Sequence, residues 1–119
     1  MRRKHEHPDL ADVQLTDVTA ALSDPIRVGL MRVLSDGVER GWSALQVPVG
    51  KSTQSHHLSV LRAAGLIRTR EEGTRCYVVA RSAEMEQRFP ALLGSVLAAA
   101  GRDDVGADVS IKETATRSG

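Results

Sequence analysis

One segment of this 119-residue chain, Lys51 to Ala64, combines hydroxyl groups, an amide, imidazoles and positive charge at helical spacing. A period of 3.6 residues divides it into two faces. The first face carries Gln54, His57, Leu58, Leu61 and Ala64, and the second carries Ser52, Thr53, Ser55, His56, Ser59 and Arg62. Because the second face has no acidic side chain, it can approach phosphate groups without repulsion.

Each of these side chains has a defined chemistry toward DNA. Lys51 offers a point charge to phosphate, and hydroxyls in the first turns of a recognition helix contact base edges and backbone. His56 and Arg62 can donate to guanine N7, and Gln54 can pair with adenine, although its phase with Leu58 favours burial equally. The alternative for the whole face is an ordinary solvated surface. The predicted DNA contacts here are Lys51, Ser52, Thr53, Gln54, Ser55, His56, Ser59 and Arg62.

The next segment predicts a β-hairpin. Ile67, Tyr77 and Val78 favour strands from Leu66 to Arg70 and from Arg75 to Ala80, with Gly73 in the turn between them. A hairpin directly after a recognition helix is typical of a wing, whose arginines reach the minor groove. We therefore predict DNA contacts from Arg68, Arg70 and Arg75, although Glu71 and Glu72 can pair with Arg70 and Arg75 instead.

The remaining pattern predicts helices. Apolar residues recur at helical spacing from Leu10 to Leu22, and Asp24-Pro25 is typical of the start of a second helix. A short third helix is expected around Ser43, and Val47 to Gly50 forms a turn because Pro48 disrupts a helix. The last helical region starts at Ser82 and is split at Pro90. The predicted fold is mainly α with a small β-hairpin, a winged helix-turn-helix of order α-α-α-α-β-β-α, with residues 1–9 as a flexible arm, residues 10–100 as the domain and residues 101–119 as a disordered tail.

Composition excludes several classes of protein. The net charge is +1, yet residues 51–81 hold six basic and two acidic residues, a net +4, which suits a polyanion. The single cysteine, Cys76, cannot form an internal disulfide, and no apolar run is long enough to span a membrane. Residues 1–8 lack the apolar core of a signal peptide, so we expect a cytoplasmic protein. The three aromatic residues argue against a base-stacking platform, and no motif of an enzyme occurs.

The last helix carries an apolar stripe, although the other helices already provide enough apolar residues for a core. Such a stripe on a terminal helix favours a partner surface, most simply a second copy of the chain. Its predicted dimer contacts are Leu92, Leu93, Val96 and Leu97.

From about Leu15 to Ala100 the chain resembles the ArsR/SmtB family of winged-helix transcriptional regulators. The resemblance is carried by Ala21-Leu-Ser-Asp-Pro-Ile-Arg27, by Ser55-His-His-Leu-Ser-Val-Leu-Arg-Ala-Ala-Gly-Leu-Ile67, and by Arg70-Glu-Glu-Gly73 with Tyr77. It implies a homodimer joined by its first and last helices, which adds Leu10 and Val13 to the dimer contacts. It also implies binding to a twofold-symmetric operator, usually as a repressor released by a metal or another signal.

The family's sensor residues are missing. Gly41 to Val49 contains no cysteine, the helix from Pro90 to Ala100 contains no histidine or acid, and Gln54 stands where an aliphatic residue is usual. Two weaker sensor hypotheses remain. His5 and His7 in the arm could bind nickel or zinc, which would make the protein a metal-responsive regulator; Arg75 could activate Cys76 as a redox switch. A further alternative is a winged helix used only for protein association.

Overall fold

The protein folds as helices around a small antiparallel sheet, as predicted. The computed structural model describes residues 6–112. Its helices are α1 (Leu15–Ala21), α2 (Pro25–Leu34), α3 (Lys51–Ala63), α4 (Ser82–Arg88) and α5 (Leu92–Arg102). Its strands are β1 (Arg40–Gly41), β2 (Leu45–Gln46), β3 (Ile67–Glu72), β4 (Arg75–Ala80) and β5 (Ser110–Ile111). Single turns of 3₁₀ helix span Leu10–Asp12 and Trp42–Ala44.

The start of α2 is fixed by the residue pair that predicted it. The Asp24 carboxylate accepts hydrogen bonds from the backbone N–H groups of Ile26 (2.8 Å) and Arg27 (3.2 Å), and Pro25 takes the first helical position. This cap satisfies donors that the first turn of a helix cannot pair internally. The residues of α2 that lie in the core are Val28, Leu30, Met31 and Leu34.

The sheet has β4 at its centre, in the order β1-β4-β3. The predicted hairpin is present: β3 and β4 pair from Ile67↔Ala80 to Glu72↔Arg75, and Gly73 in the turn has a φ of +61°. Strand β1 adds two residue pairs on the other side of β4. The hairpin therefore follows α3 directly and is joined on one edge by the chain that precedes α3.

The expected third α-helix is not formed. Gly41 is extended and paired with Tyr77, and Leu45 is extended and paired with Ile111. Only the 3₁₀ turn Trp42–Ala44 fits between these two pairings, because an α-helical turn needs more residues. The first predicted helix is also divided: a 3₁₀ turn precedes α1, whose capping box joins Gln14 and Asp17.

The prediction of a disordered tail from residue 101 is wrong for residues 101–112. Helix α5 continues to Arg102, the chain reverses at Gly106 (φ +72°), and β5 pairs with β2. Gly106 lies against the backbone of Gly29 in α2, where any side chain would collide, and Val109 is buried in the core. These contacts order the segment despite its polar composition. Residues 113–119 lie outside the described residues.

The arm predicted for residues 1–9 is also ordered in its described part. The His7 Nε2 atom accepts a hydrogen bond from the Thr69 backbone N–H (2.9 Å), and the Pro8 carbonyl accepts one from Arg81 (3.0 Å). Since β3 is an edge strand, the arm covers an edge that would otherwise present unpaired backbone groups. Residues 1–5, including His5, lie outside the described residues.

Three of the six predicted dimer contacts belong to the core of the monomer. Leu10, Val13 and Leu93 are each at least nine-tenths buried, so they offer no surface to a partner. The 3₁₀ turn Leu10–Asp12 packs against the end of α3 at Gly65, and this contact buries Leu10 and Val13. Leu92, Val96 and Leu97 are half-buried, and of these three only Val96 lies outside the core cluster and its rim.

The junction between α3 and β3 depends on Gly65. Its φ is +80°, its N–H donates to the Arg62 carbonyl, and the following N–H, of Leu66, donates to the Leu61 carbonyl. This pair of bonds is a Schellman motif, which requires the left-handed conformation at the residue after the helix cap. A Cβ at this position would also collide with Leu10.

We expect Gly65→Ala to lower the free energy of unfolding by about 1–3 kcal/mol, because alanine in the left-handed region is strained and Leu10 must move. The matched control is Gly94→Ala in α5, where no atom lies within 4 Å of the added Cβ and φ is not positive. That change should be neutral or stabilising. Urea denaturation followed by circular dichroism measures both, and equal midpoints for the two variants would contradict the role of Gly65.

Candidate nucleic-acid interface

Helix α3 has one buried and one exposed face, as its periodicity predicts. His57, Leu58 and Leu61 are buried, and the exposed side chains of the first two turns are Lys51, Ser52, Thr53, Ser55 and His56. Toward the end of the helix, Ser59 and Arg62 are less accessible because both are half-buried. The Arg62 Nε atom is buried without a hydrogen-bond partner. The first two turns therefore offer most of the reachable donors.

The chain segment that contains α3 carries no acidic residue. No Asp or Glu occurs between Arg40 and Arg70, so β1, the loop before α3 and α3 itself are free of carboxylates. The N-cap residue Gly50 provides no side-chain acceptor for the first-turn N–H groups. The positive end of the helix dipole thus adds to the charge of Lys51.

Gln54 is held by the preceding loop. Its Nε2 atom donates to the backbone carbonyl of Trp42 at 3.2 Å, and its side chain is half-buried. The bond ties the first turn of α3 to the 3₁₀ turn before it. Of the two interpretations open from sequence, adenine contact and burial, this geometry favours the second.

His57 and His56 point to different environments. His57 is 7% exposed, and its Nδ1 atom lies 3.1 Å from a guanidinium nitrogen of Arg27 in α2. Because Arg27 can only donate, neutral His57 accepts at this nitrogen. Arg27 also donates to the Ala21 carbonyl at 2.7 Å. Arg27 therefore links the end of α1, its own helix α2 and α3, whereas His56 is exposed.

The three arginines of the hairpin differ in their partners. Arg68 pairs with Glu84 at 3.1 Å, and Arg70 pairs with Glu39 at 2.7 Å and Glu72 at 2.8 Å. The Arg70 guanidinium also lies 4.4 Å from the centre of the Tyr77 ring. These ion pairs raise the pKa of Arg70 and lower that of Glu39.

Arg75 is the hairpin arginine available to an external anion. It is exposed and makes no ion pair with any residue between 6 and 112. Sequence reasoning allowed Glu71 or Glu72 to neutralise it, but Glu72 pairs with Arg70. The hairpin therefore presents one arginine at its tip, and two arginines that carboxylates already hold.

Glu84 is a structural acid that sequence reasoning missed. Buried Arg81 donates to both of its carboxylate oxygens at 2.9 Å, and these bonds, with the nearby charge of Arg68, lower the pKa of Glu84 to about 2. The spacing of Arg81 and Glu84 on one helix turn could have indicated this pair. Nothing in the sequence indicates the bond between Glu39 and Arg70, because it depends on the strand order.

The described residues provide no set of ligands for the nickel or zinc site predicted at His5 and His7. His7 already uses Nε2 as an acceptor for the Thr69 N–H, and His5 lies outside the described residues. Across residues 6–112, no group of three His, Cys, Asp or Glu side chains is placed to hold an ion. The Cys76 Sγ atom lies 4.0 Å from the Glu71 carboxylate. Nickel or zinc binding and the redox switch both stay predictions.

Comparison with known proteins adds no family assignment. No protein-family model matches the chain, and a search of curated proteins finds no match. Among the helices of the described chain, none has both the length and the apolar character to cross a bilayer.

Burial lowers the pKa of His57, the Arg27 guanidinium lowers it further, and Asp24 opposes the shift. Below pH 6.5, the ordinary value, the unfolded chain then binds a proton at this residue more readily than the folded chain does. We expect the His57 contribution to stability to be complete above pH 6.5 and to decline as the pH falls toward the lowered pKa.

His57→Gln tests this, because glutamine keeps an acceptor for Arg27 and does not titrate. Urea denaturation between pH 8 and 5 (roughly the range of histidine titration) should show a shallower loss of stability in His57→Gln than in the wild type. Ala63→Gln, an exposed position on the same helix, is the control and should retain the wild-type slope, because it removes no titratable group. An unchanged slope in His57→Gln would show that His57 does not couple folding to pH.

Proposed function

We propose that this protein is a DNA-binding transcriptional regulator of the winged helix-turn-helix type, similar to the ArsR/SmtB regulators. In this proposal α3 is the recognition helix and the β3–β4 hairpin is the wing. The observation that carries it is the acid-free exposed face of α3, which the Gly65 junction holds in a fixed relation to the hairpin. Such a face, seated on a core by its other side, suits entry into the major groove.

The distribution of charge supports specific contacts. Lys51 at the start of α3 and Arg75 at the hairpin tip are exposed cations, whereas Arg68 and Arg70 are held by carboxylates. We infer that Lys51 and Arg75 contact phosphates, and that Ser52, Thr53, Ser55 and His56 contact base edges or backbone. Repression is the expected effect, since a bound protein blocks the DNA that it covers.

The first experiment selects binding sites from a random duplex library and then titrates the selected site at several salt concentrations. Each lost phosphate contact reduces the slope of log K against log salt by about 0.9, so Lys51→Gln and Arg75→Gln should each have this effect. Arg70→Gln should change the slope less, because Glu39 and Glu72 already hold Arg70.

Arg102→Gln is the matched control, because Arg102 is an exposed cation on α5. It should leave the slope unchanged. If Lys51→Gln and Arg75→Gln also left it unchanged, these residues would not contact phosphate. If no duplex were retained at low salt, the proposal of DNA binding would be rejected.

We further propose that the regulator acts as a homodimer on a twofold-symmetric operator. Two apolar side chains support a contact through the first and last helices: Leu15 in α1 is 50% exposed, and Val96 in α5 is half-buried outside the core cluster. A dimer would place two copies of α3 in successive major grooves, about 34 Å apart.

We expect Val96→Glu to shift the chain from dimer to monomer, because it places a charge in an apolar contact. Ala98→Glu is the control, since Ala98 is an exposed neighbour on the same helix. Sedimentation velocity over a range of concentrations measures both. A wild-type chain that is monomeric at every concentration tested would refute the dimer, as would a Val96→Glu variant that dimerises like the control.

A further inference from the structure

A cleft of about 620 Å³ separates the first turns of α3 from strand β4. Its walls include Trp42 and Tyr77, two of the three aromatic residues of the chain, and the two exposed cations Lys51 and Arg75. Small-molecule sites in proteins have volumes of roughly 300–1,000 Å³ and combine apolar walls with a few convergent polar groups. The cleft has this size and this composition.

The charge of the lining is one-sided. None of the lining residues is acidic, and neither Lys51 nor Arg75 makes an ion pair with another residue of the described chain. Hydroxyl groups of Ser43 and Ser55 add further donors. An anion entering the cleft would therefore meet two unneutralised cations, while a flat apolar body would meet Trp42 and the part of the Tyr77 ring that Arg70 leaves uncovered.

We propose that this cleft binds a small aromatic carboxylate. Its ring packs against Trp42 and Tyr77, and its carboxylate pairs with Lys51 and Arg75. Because these two cations also belong to the proposed DNA interface, a bound carboxylate excludes DNA and acts as an inducer. This second step rests on the proposed function, whereas binding of the carboxylate does not.

The cleft contains its own reporter group. Trp42 is the single tryptophan of the chain, and it lines the cleft. Tryptophan fluorescence therefore reports on one wall of the cleft.

The probes are benzoate, phenylacetate and 3-phenylpropionate, each compared with its neutral amide and with acetate. We expect a saturable change in Trp42 fluorescence with at least one aromatic acid. The matching amide and acetate should bind at least about tenfold more weakly, because each lacks the charge or the ring. Failure of all three acids to bind at millimolar concentration, or equal binding by the amide, would overturn the proposal.

Gly41→Val adds a side chain to the wall of the cleft and narrows it. Gly41 is extended, and a Cβ there would lie 3.8 Å from Tyr77 Cε1 and 3.9 Å from both the Cys76 carbonyl oxygen and the Ser43 hydroxyl. Thermal unfolding should confirm that the variant is folded, and it should lose carboxylate binding. Arg75→Gln should weaken binding, and Arg102→Gln should not. Retention of wild-type affinity in Gly41→Val would place the ligand elsewhere and overturn the proposal.

Competition with the selected DNA duplex tests the second step. The aromatic acid should release wild-type protein from DNA but not release Gly41→Val. If the protein binds the acid and no duplex, the ligand site is supported and the proposed function fails. If it binds DNA but none of the acids, the proposed function is supported and the cleft proposal fails.

Discussion

The placement of α3 depends on a backbone conformation at one residue. Gly65 turns the chain out of the helix and directly into β3, and its missing side chain allows Leu10 to pack against the turn. Both ends of the candidate surface, the first turns of α3 and the tip of the hairpin, are therefore set by the same junction. Because Leu10 belongs to the segment before α1, the chain ahead of the domain's first helix also contributes to this geometry.

Acidic residues from outside the surface determine which of its basic residues remain available. Glu39, before β1, and Glu84, in α4, hold Arg70 and Arg68 in fixed positions at the base of the hairpin. These exposed pairs contribute little stability individually. Their larger effect is on the distribution of charge. Because Arg68 and Arg70 are neutralised, the unpaired positive charge of the hairpin lies at its tip, and it adds to the positive charge at the start of α3.

Features that depend on neighbouring residues could be predicted from sequence, and features that depend on distant contacts could not. The cap at Asp24, the end of α3 at Gly65 and the hairpin around Gly73 each follow from local chemistry. The 3₁₀ turn Trp42–Ala44 stands where a helix was predicted, because the residues on either side of it pair with β4 and β5. The hydrophobic periodicity of the sequence gives no information about these distant pairings. The same limit applies to the site: the two faces of α3 were predictable, but the neutralisation of Arg70 by Glu39, 31 residues away, was not.

The pairing of β2 with β5 has a consequence for the order of folding. Leu45 pairs with Ile111, so the loop that precedes α3 is completed by residues that are synthesised well after α3 itself. Contacts between residues so far apart in sequence form late, because a long loop must close first. On the ribosome, the hairpin and α3 can assemble while this loop still lacks its partner strand. The loop before α3 would then reach its final shape only after the last described strand has emerged.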